Sequence, residues 1–416
     1  MNRKERRRQS KVPGKSGTAG NPFQTLRAAL SSYQAGQFAT ALNICREVLT
    51  VDPDNRDALN LSGTLYLDMG ETAKSIECLS RVLRMFPGDP QAHYNLGTAL
   101  AAHGDLEKAI ASQKRALELR PDYPEAHYNL ANAYRQAGER DAAASRYQRT
   151  LDLVPGYPGA ATNLASVLLE LKRPQDALRA SEKALEFFPG DRDALSFNAI
   201  AASETGDPET AAWILSMDDL VRPRDFSAPS GFANLGDFNR ALVDHVLAHP
   251  TLTHEPHNMA TRDGQQTENL AIEPKGPVRQ LEDMIIEAFD DYLPAVRKLA
   301  GHPYVPLIPD LRKIDIWGTV LGRQGHQAAH MHRNAWVSGV YYAQLPGVMH
   351  GDNEDRAGWI EFGRPPDEFP CSVEHEVRMF EPKEGRMFMF PSYEYHRTIP
   401  FESAEQRISI AFDLLA

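Results

Sequence analysis

The feature that most constrains this chain is a period of 34 residues in its first half. Prolines recur at this interval, at Pro53, Pro87, Pro121, Pro155 and Pro189. Glycines keep the same interval at Gly36, Gly70, Gly104 and Gly138, and again at Gly206 after Lys172 takes the fifth position. Small residues follow a third register, at Ala41, Ser75, Ala109, Ala143, Ala177 and Ala211. Three registers with one period indicate a repeated structural unit.

Each unit has the composition of two helices joined by a tight turn. Glycine supplies the turn, the small residue lets the second helix approach the first, and proline ends the pair because it cannot continue a helix. The segment "PQAHYNLGTALAAHGDLEKAIASQKRALELRPDY", residues 90–123, shows the whole pattern. It resembles the tetratricopeptide repeat. We therefore expect an all-α superhelix over residues 22–216, with five full units and a partial sixth from Arg192 onward.

The resemblance also implies a kind of partner. Stacked repeats of this type form a concave face that holds a peptide or protein segment. A spacer or a dimerisation surface is the alternative, and the oligomeric state stays open. The triplet His-Tyr-Asn recurs at residues 93–95 and 127–129, on the first helices of adjacent units. Asn95 and Asn129 are therefore candidate contacts to a bound peptide, with surface or packing roles as the alternative.

Charge separates the N-terminus from the rest of the chain. The net charge is −11, yet residues 1–15 carry seven Lys or Arg and one Glu, which leaves −17 on the remainder. Because a nucleic-acid groove needs a basic surface, an acidic body argues against a nucleic-acid partner. Residues 1–21 are predicted to be a basic disordered tail. Contact of this tail with RNA, a membrane surface or an acidic partner is the alternative.

Apolar segments and cysteines bear on the compartment. We find no apolar run approaching the roughly 18 to 20 residues that cross a bilayer, and no apolar core of a signal peptide at the N-terminus. The three cysteines, Cys45, Cys78 and Cys371, have no close spacing and fit a reducing compartment. These features predict a cytoplasmic protein without a membrane span.

The period ends after Ser216. The segment "VRPRDFSAPSGFANLGDF" is rich in Pro, Gly and Ser, which is typical of a domain boundary. Helical spacing returns in "FNRALVDHVLAH" and "PVRQLEDMIIEAFDDYLPAVRKLAG", with "TRDGQQTENL" between them as a predicted loop. Residues 217–305 are thus predicted to be a linker and helices that buttress a following sheet.

From about residue 306 to the end, short alternating segments predict strands. They are "KIDIWGTVL", "AWVSGVYYAQL", "GWIEF", "GRMFMF" and "RISIAFDLL". Turn residues separate them, as in a β-sandwich or jelly roll. Eleven of the fourteen histidines lie beyond residue 244. A metal site is therefore expected in this half.

Two histidines open one of these segments, "HMHRNAWVSGVYYAQLPG", residues 330–347. If the strand includes them, His330 and His332 share one face, since successive side chains alternate. That arrangement offers two imidazoles to one metal ion. The alternative is that one is a core residue and the other a surface residue. A third imidazole, His396, follows 64 residues after His332, and Arg407 follows His396 by 11.

These residues resemble the motif of Fe(II)/2-oxoglutarate-dependent oxygenases. The motif is a His followed by a nearby acid, a distant His, and a basic residue about ten positions on. The segments "SGVYY", "GWIEFG", "FPSYEYHRTIPF" and "RISIAFD" carry the resemblance over roughly residues 225–416. It implies a C-terminal double-stranded β-helix over residues 306–416 with flanking helices, preceded by the repeats. It also implies that the protein uses Fe(II), 2-oxoglutarate and O2.

The same resemblance implies roles for individual residues. His330, His332 and His396 would hold the iron. Arg407 would bind the distal carboxylate of 2-oxoglutarate through its planar fork, supported by Ser409 and by Tyr342 if that tyrosine faces inward. Arg333 and Asn334 are candidate substrate contacts.

This sequence departs from the family motif at one position. The family usually has Asp or Glu where His332 stands, so the predicted ligand set is all imidazole. A carboxylate from elsewhere, such as Glu361 or Asp352, is the alternative third ligand. The aromatic residues Trp336, Tyr341, Trp359 and Phe390 are expected in the core rather than in a substrate pocket.

Three functions are compatible with these features. The first is a dioxygenase that hydroxylates a protein or peptide recruited by the repeats. The second is an oxygenase that acts on a small molecule. The third is a non-catalytic, metal-binding scaffold or oxygen sensor, which an intact Arg407 and Ser409 disfavour.

Overall fold

The computed structural model describes residues 22–254, 260–308, 313–349 and 354–415. The predicted basic tail and Asp352 lie outside the described residues. The chain divides into two compact units, Met1–Leu153 and Val154–Ala416. Helices fill the first unit, and the second adds two antiparallel sheets to further helices. The predicted fold class, repeats followed by a jelly roll, is confirmed.

The first unit consists of four helix pairs. Their helices are α1 Pro22–Gln34, α2 Phe38–Val51, α3 Arg56–Asp68, α4 Thr72–Met85, α5 Pro90–His103, α6 Leu106–Leu119, α7 Pro124–Gln136 and α8 Arg140–Leu153. The glycine of each turn has a positive φ, for example 75° at Gly70 and 91° at Gly104. Glycine adopts this left-handed conformation without steric cost, which explains its recurrence in the turns.

Small residues let the helices of a pair pack closely. Ser75 on α4 is fully buried and donates a hydrogen bond to the Gly63 carbonyl on α3 at 2.7 Å. A Cβ atom at Gly63 would lie 2.6 Å from Leu79, so α3 has no room for a side chain there. Ala41, Ala109 and Ala143 are likewise fully buried. The 34-residue period is therefore a packing period.

Seven helices and ten strands form the second unit among the described residues. The helices are α9 Ala160–Glu170, α10 Pro174–Phe187, α11 Arg192–Glu204, α12 Pro208–Leu215, α13 Met217–Leu220, α14 Leu235–Leu247 and α15 Val278–Arg297. The strands are β1 Arg222–Asp225, β2 Thr253–His254, β3 Thr261–Gln266, β4 Lys313–Gln327, β5 Val337–Gln344, β6 Ile360–Phe362, β7 Arg378–Phe380, β8 Arg386–Pro391, β9 His396–Thr398 and β10 Arg407–Leu415. Short 3-10 helices span Val305–Leu307 and Gly347–Met349.

The strands form two antiparallel sheets. The larger has the order β1-β8-β5-β10-β4-β3-β2, and the smaller has the order β7-β6-β9. Five of the ten strands, β1, β2, β3, β7 and β9, were not predicted from the sequence, and a loop was predicted where β3 lies. Polar and glycine-containing segments such as "TRDGQQ" have weak strand propensity. Pairing with β4 supplies the order that the segment lacks alone.

The two faces of strand β10 have different surroundings. Ile408, Ile410 and Phe412 face a hydrophobic core that includes Phe238 of α14 and Leu281 of α15. Leu195 and Ala199 of α11 and Ile214 of α12 belong to the same core. Two helices of the predicted repeat array thus pack together with the sheet. The alternate residues of β10 point toward the interior between the two sheets.

Gly339 on β5 allows this sheet to form. A Cβ atom there would lie 2.2 Å from the Phe412 ring and 2.5 Å from the Phe388 carbonyl oxygen. We expect Gly339→Ala to lower the free energy of unfolding by about 2 kcal/mol, because backbone and ring must both move. Gly322→Ala on β4 is the matched control, since nothing lies within 4 Å of its Cβ position. Urea denaturation of both variants tests this; equal stabilities would contradict it.

Candidate metal centre

Three histidines converge in the second unit. Potential ligand atoms of His330, His332 and His396 all lie within 4.8 Å of one another. Their ring centroids are separated by 4.3 Å for His330 and His396, 5.1 Å for His332 and His396, and 5.2 Å for His330 and His332. The structure thus brings together the three residues that the sequence suggested as metal ligands.

The backbone around the histidines differs from the sequence prediction. His330 and His332 precede β5, which begins at Val337, so the expectation that they open this strand is wrong. His330 instead forms an isolated antiparallel bridge with His396, in which the two residues exchange two backbone hydrogen bonds of 3.0 Å. The backbone N–H of His332 donates to the Ser392 carbonyl at 2.9 Å. Main-chain hydrogen bonds therefore fix both segments beside each other.

Each imidazole is oriented through its Nδ1 atom. His330 Nδ1 lies 2.8 Å from the Ala328 carbonyl oxygen, and His396 Nδ1 lies 3.0 Å from the Glu394 carbonyl oxygen. His332 Nδ1 lies 2.6 Å from Asp413 Oδ1. A carbonyl oxygen only accepts, so Nδ1 donates in the first two, and a carboxylate favours the same in the third. Nε2 of each ring is left as the metal-binding atom.

Burial keeps two of the imidazoles neutral. It lowers the pKa of His330 to about 3, with a smaller contribution from the nearby His332. It also lowers the pKa of His396 well below the usual value, and the neighbouring His330 and His332 add to this effect. Neutral imidazole is the form that binds metals, so no proton has to leave these two rings first.

Asp413 supplies a carboxylate next to the cluster. Its Oδ1 atom accepts hydrogen bonds from His332 Nδ1 and from the Ser338 hydroxyl, both at 2.6 Å. The sequence analysis did not identify Asp413 or Ser338. The segment "RISIAFD" contained an indication of Asp413, because alternate residues of a strand share a face and Asp413 therefore lies on the same face as Arg407 and Ser409. The tertiary partner of that carboxylate could not be seen in the sequence.

Glu361 does not supply the alternative third ligand. Its carboxylate is fully buried and bonds to Arg364 and Arg397, at 2.5 and 2.7 Å. On β6 the neighbouring Phe362 pairs with His396, whereas Glu361 pairs with Arg397. Adjacent side chains on a strand face opposite ways, so Glu361 points away from the histidines. Asp352, the other alternative, lies outside the described residues.

A buried arginine lies on the same face of β10 as Asp413. Arg407 is 1% exposed, and among the described residues no carboxylate forms an ion pair with it. Its Nη1 atom lies 3.3 Å from Ser409 Oγ, and its guanidinium lies 4.9 Å from the Tyr342 ring centroid. Burial lowers the pKa of Arg407, because an enclosed charge is costly without a counterion.

Unsatisfied polar atoms surround this arginine. Arg407 Nε, Tyr342 Oη and Thr319 Oγ1 are buried without a hydrogen-bond partner among the described residues. Ser409 pairs directly with Thr319 on β4 and with Tyr342 on β5, so their side chains share one face of the sheet. Because buried polar groups normally have hydrogen-bond partners, these side chains indicate a binding place for an anionic, oxygen-rich ligand.

The remaining candidate residues have varied surroundings. Arg333 is exposed and forms an ion pair with Asp193 at 3.2 Å, and Asn334 is exposed. Asn129 donates to Thr98 Oγ1 at 2.9 Å, and Asn95 accepts from Gln91 at 3.1 Å. Asn95 borders an open pocket of about 470 Å³ in the first unit.

The aromatic residues that were expected in the core are largely there. Trp336, Tyr341 and Phe390 are buried in the cores, and Trp359 is half-buried.

Comparisons with known families agree with this architecture. Residues 315–413 match the family model described as "Putative 2OG-Fe(II) oxygenase", and residues 61–124 and 100–156 match two models described as tetratricopeptide repeat. The comparison with curated proteins gave no match. The chain therefore combines tetratricopeptide repeats with a domain of the 2OG-Fe(II) oxygenase type. Both resemblances inferred from the sequence are confirmed.

The solved structures similar to this chain include two that are described as tetratricopeptide repeat proteins. The MamA protein is 27% identical over 40% of this chain and 91% of its own, with a TM-score of 0.37. A thermophilic repeat protein from Thermus thermophilus is 26% identical over 44% of this chain and 100% of its own, with a TM-score of 0.37. YrrB, described as having an unusual peptide-binding site, is 21% identical over 42% of this chain and 90% of its own, with a TM-score of 0.37. Among the described residues, no helix is long and apolar enough to cross a membrane.

The residues fit the cofactors that this family implies. Each of the three imidazoles offers a ring nitrogen within 4.8 Å of the other two, which suits a divalent transition metal such as Fe(II). A buried guanidinium without a counterion suits the carboxylate of 2-oxoglutarate. His396 lies on β9 of the smaller sheet and Arg407 on β10 of the larger sheet, whereas His330 and His332 lie between β4 and β5.

The contact between His332 and Asp413 leads to a prediction. We expect Asp413→Asn to weaken Fe(II) binding by about 10- to 100-fold, because the amide holds the imidazole less firmly and makes it less basic. Asp315→Asn is the matched control: Asp315 pairs with Asp413 across the strands but bonds to Asn269 instead of a histidine. Anaerobic metal titration measures both affinities. Equal affinity in Asp413→Asn and the wild type would contradict the role of Asp413.

Proposed function

We propose that this protein is an Fe(II)- and 2-oxoglutarate-dependent dioxygenase that hydroxylates a protein or peptide recruited by its repeats. The single observation that carries the proposal is the presence, in one jelly roll, of a three-histidine cluster and a buried arginine that forms no ion pair with the residues the structure describes. A metal site alone would not need that arginine. A structural arginine would be expected to have a counterion.

In this proposal each residue has one task. His330, His332 and His396 hold the iron, and Asp413 orients His332. Arg407 binds the distal carboxylate of 2-oxoglutarate, with Ser409, Thr319 and Tyr342 supplying hydrogen-bonding groups beside it. When bound, iron and 2-oxoglutarate would supply oxidising chemistry with O2 as the oxidant: one oxygen atom of O2 enters succinate as carbon dioxide leaves the keto acid, and the other passes to a C–H bond of the substrate. Arg333 and Asn334, exposed just beyond His332, are proposed to contact that substrate.

Features of the repeats support a protein or peptide as the substrate. Polar side chains Asn60, Thr64, Gln91 and Asn95 border the pocket of the first unit, together with the apolar Leu26 and Leu61. This mixture suits an extended peptide, whose backbone needs hydrogen bonds and whose side chains need apolar contacts. We propose that Asn95 contributes to this binding, with Asn129 further along the array. Tethering a substrate-binding array to the oxygenase domain raises the local substrate concentration. A cytoplasmic location is part of the proposal.

Arg407 provides the first test of the proposal. We expect Arg407→Lys to raise the Kd for 2-oxoglutarate by about 10-fold or more and to leave Fe(II) affinity unchanged, because lysine lacks the planar fork. Anaerobic titration of the iron-loaded protein with 2-oxoglutarate, followed by the visible charge-transfer band, measures the first quantity, and titration of the metal-free protein with Fe(II) measures the second. Arg323→Lys, an exposed change on β4, is the control. Absence of the band in wild-type protein would favour the non-catalytic scaffold instead.

Removal of the first unit tests substrate recruitment. We expect deletion of residues 1–153 to abolish hydroxylation of a protein substrate while keeping 2-oxoglutarate binding, because the second unit is compact by itself. Deletion of residues 1–216 is not suitable, since Leu195, Ala199 and Ile214 fill the core under the sheet. Mass spectrometry of a treated proteome detects the added oxygen atom. Unchanged hydroxylation after deletion of residues 1–153 would show that the repeats do not recruit the protein substrate. No added oxygen in any protein treated with the full-length chain would favour a small-molecule substrate.

A further inference from the structure

A second cluster of metal-ligand types lies apart from the three histidines. Among the described residues, the potential ligand atoms of Glu204, Cys371 and His375 lie within 4.8 Å of one another. Glu204 is the last residue of α11, whereas Cys371 and His375 lie in the connection between β6 and β7. Three side chains that differ in chemistry and come from two distant segments therefore meet at one point.

Glu204 is held in place by the backbone of that connection. Its carboxylate accepts from the Ser372 N–H at 2.8 and 3.0 Å, from the Val373 N–H at 3.3 Å and from the Ser372 hydroxyl at 2.5 Å. His375 Nε2 lies 3.0 Å from Glu204 Oε1. The side chains of Glu204 and His375 are only 7% and 8% exposed. The carboxylate and the imidazole are thus preorganised rather than free on the surface.

These distances and spacings suit a tetrahedral ion. Two ligands at about 2.0 to 2.1 Å from zinc lie roughly 3.3 Å apart in tetrahedral geometry, close to the separation of His375 Nε2 and Glu204 Oε1. Cys371 and His375 are separated by three residues, a common spacing for ligands on one short segment. The hydrogen bonds from Ser372 and Val373 would remain on the carboxylate as the outer contacts that orient a ligand.

We propose that Glu204, Cys371 and His375 form a second metal site, which binds a zinc-class divalent cation and is independent of the iron site. Its ligand set is one thiolate, one imidazole and one carboxylate, which selects a borderline-soft ion over Mg²⁺ or Ca²⁺. Cys371 and His375 border a pocket of about 360 Å³, whose lining also includes Arg364, Pro366 and Phe369. Water or a small anion completes the coordination there.

Binding at this site releases a proton. The ion forms a bond to the Cys371 sulfur as the S–H proton passes to solvent. The bound ion would link the connection between β6 and β7 to α11. Ser196 and Asp193 of this helix also contact Tyr393 and Arg333, respectively.

Cobalt(II) is the probe that tests the proposal on the full-length protein. A Co(II)–thiolate bond gives an intense near-ultraviolet charge-transfer band, whereas an all-histidine site gives none. We expect wild-type protein to bind two equivalents of Co(II), with the sulfur band accompanying one of them. Cys371→Ser should bind one equivalent and lose the band, and His396→Ala should lose one equivalent but keep the band.

Cys78→Ser is the matched control, because Cys78 lies in the first unit and should leave the band and the stoichiometry unchanged. Zinc should displace cobalt from this site and raise the melting temperature of His396→Ala, in which the three-histidine cluster is broken, by several degrees, but not that of the double variant His396→Ala/Cys371→Ser. The proposal is overturned if wild-type protein shows no sulfur-to-cobalt band, or if Cys371→Ser retains it. In that case Glu204 serves only as a hydrogen-bonded clamp on the connection.

Discussion

The alternation of side chains along β10 is the constraint on which both the core and the site depend. Ile408, Ile410 and Phe412 close the core against the helices, so Arg407 and Asp413 must point into the interior between the sheets. A shift of register by one residue would exchange the two sets. The large apolar face fixes the register, and the register in turn buries a guanidinium where no side chain of the described residues neutralises it.

The isolated bridge between His330 and His396 has a complementary role. It joins the segment after β4 of the larger sheet to β9 of the smaller sheet, and its hydrogen bonds place two ligands side by side without a continuous strand. His332 then reaches back to Asp413 on β10. Where the family motif usually has a carboxylate ligand, this chain has His332, and the carboxylate of Asp413 contacts that imidazole. In the proposed site Asp413 would act on the metal through His332 rather than by coordination.

Helices α11 and α12 give the second unit its particular construction. By sequence they continue the repeat array, yet Leu195 and Ile214 lie in the core of the β-domain, and the Ser196 hydroxyl donates to the Tyr393 carbonyl at 2.7 Å. Tyr393 lies three residues before His396. A repeat helix therefore supports the segment that carries a proposed iron ligand. This explains why the compact units divide after Leu153 rather than at the end of the period.

The sequence by itself determined the repeats, because glycine turns and small packing residues are local requirements that recur every 34 residues. It also determined which imidazoles were candidate metal ligands and which arginine was the candidate for binding 2-oxoglutarate, since the strand pattern and the family motif are both features of the sequence. Only the tertiary structure decided that Asp413 contacts His332, that Glu361 is occupied by Arg364 and Arg397, and that Glu204 meets Cys371 and His375. These contacts join residues 36 to 171 positions apart, or depend on which face of a strand is buried. Such pairings follow from the packing of whole elements and leave no periodic signal in the sequence.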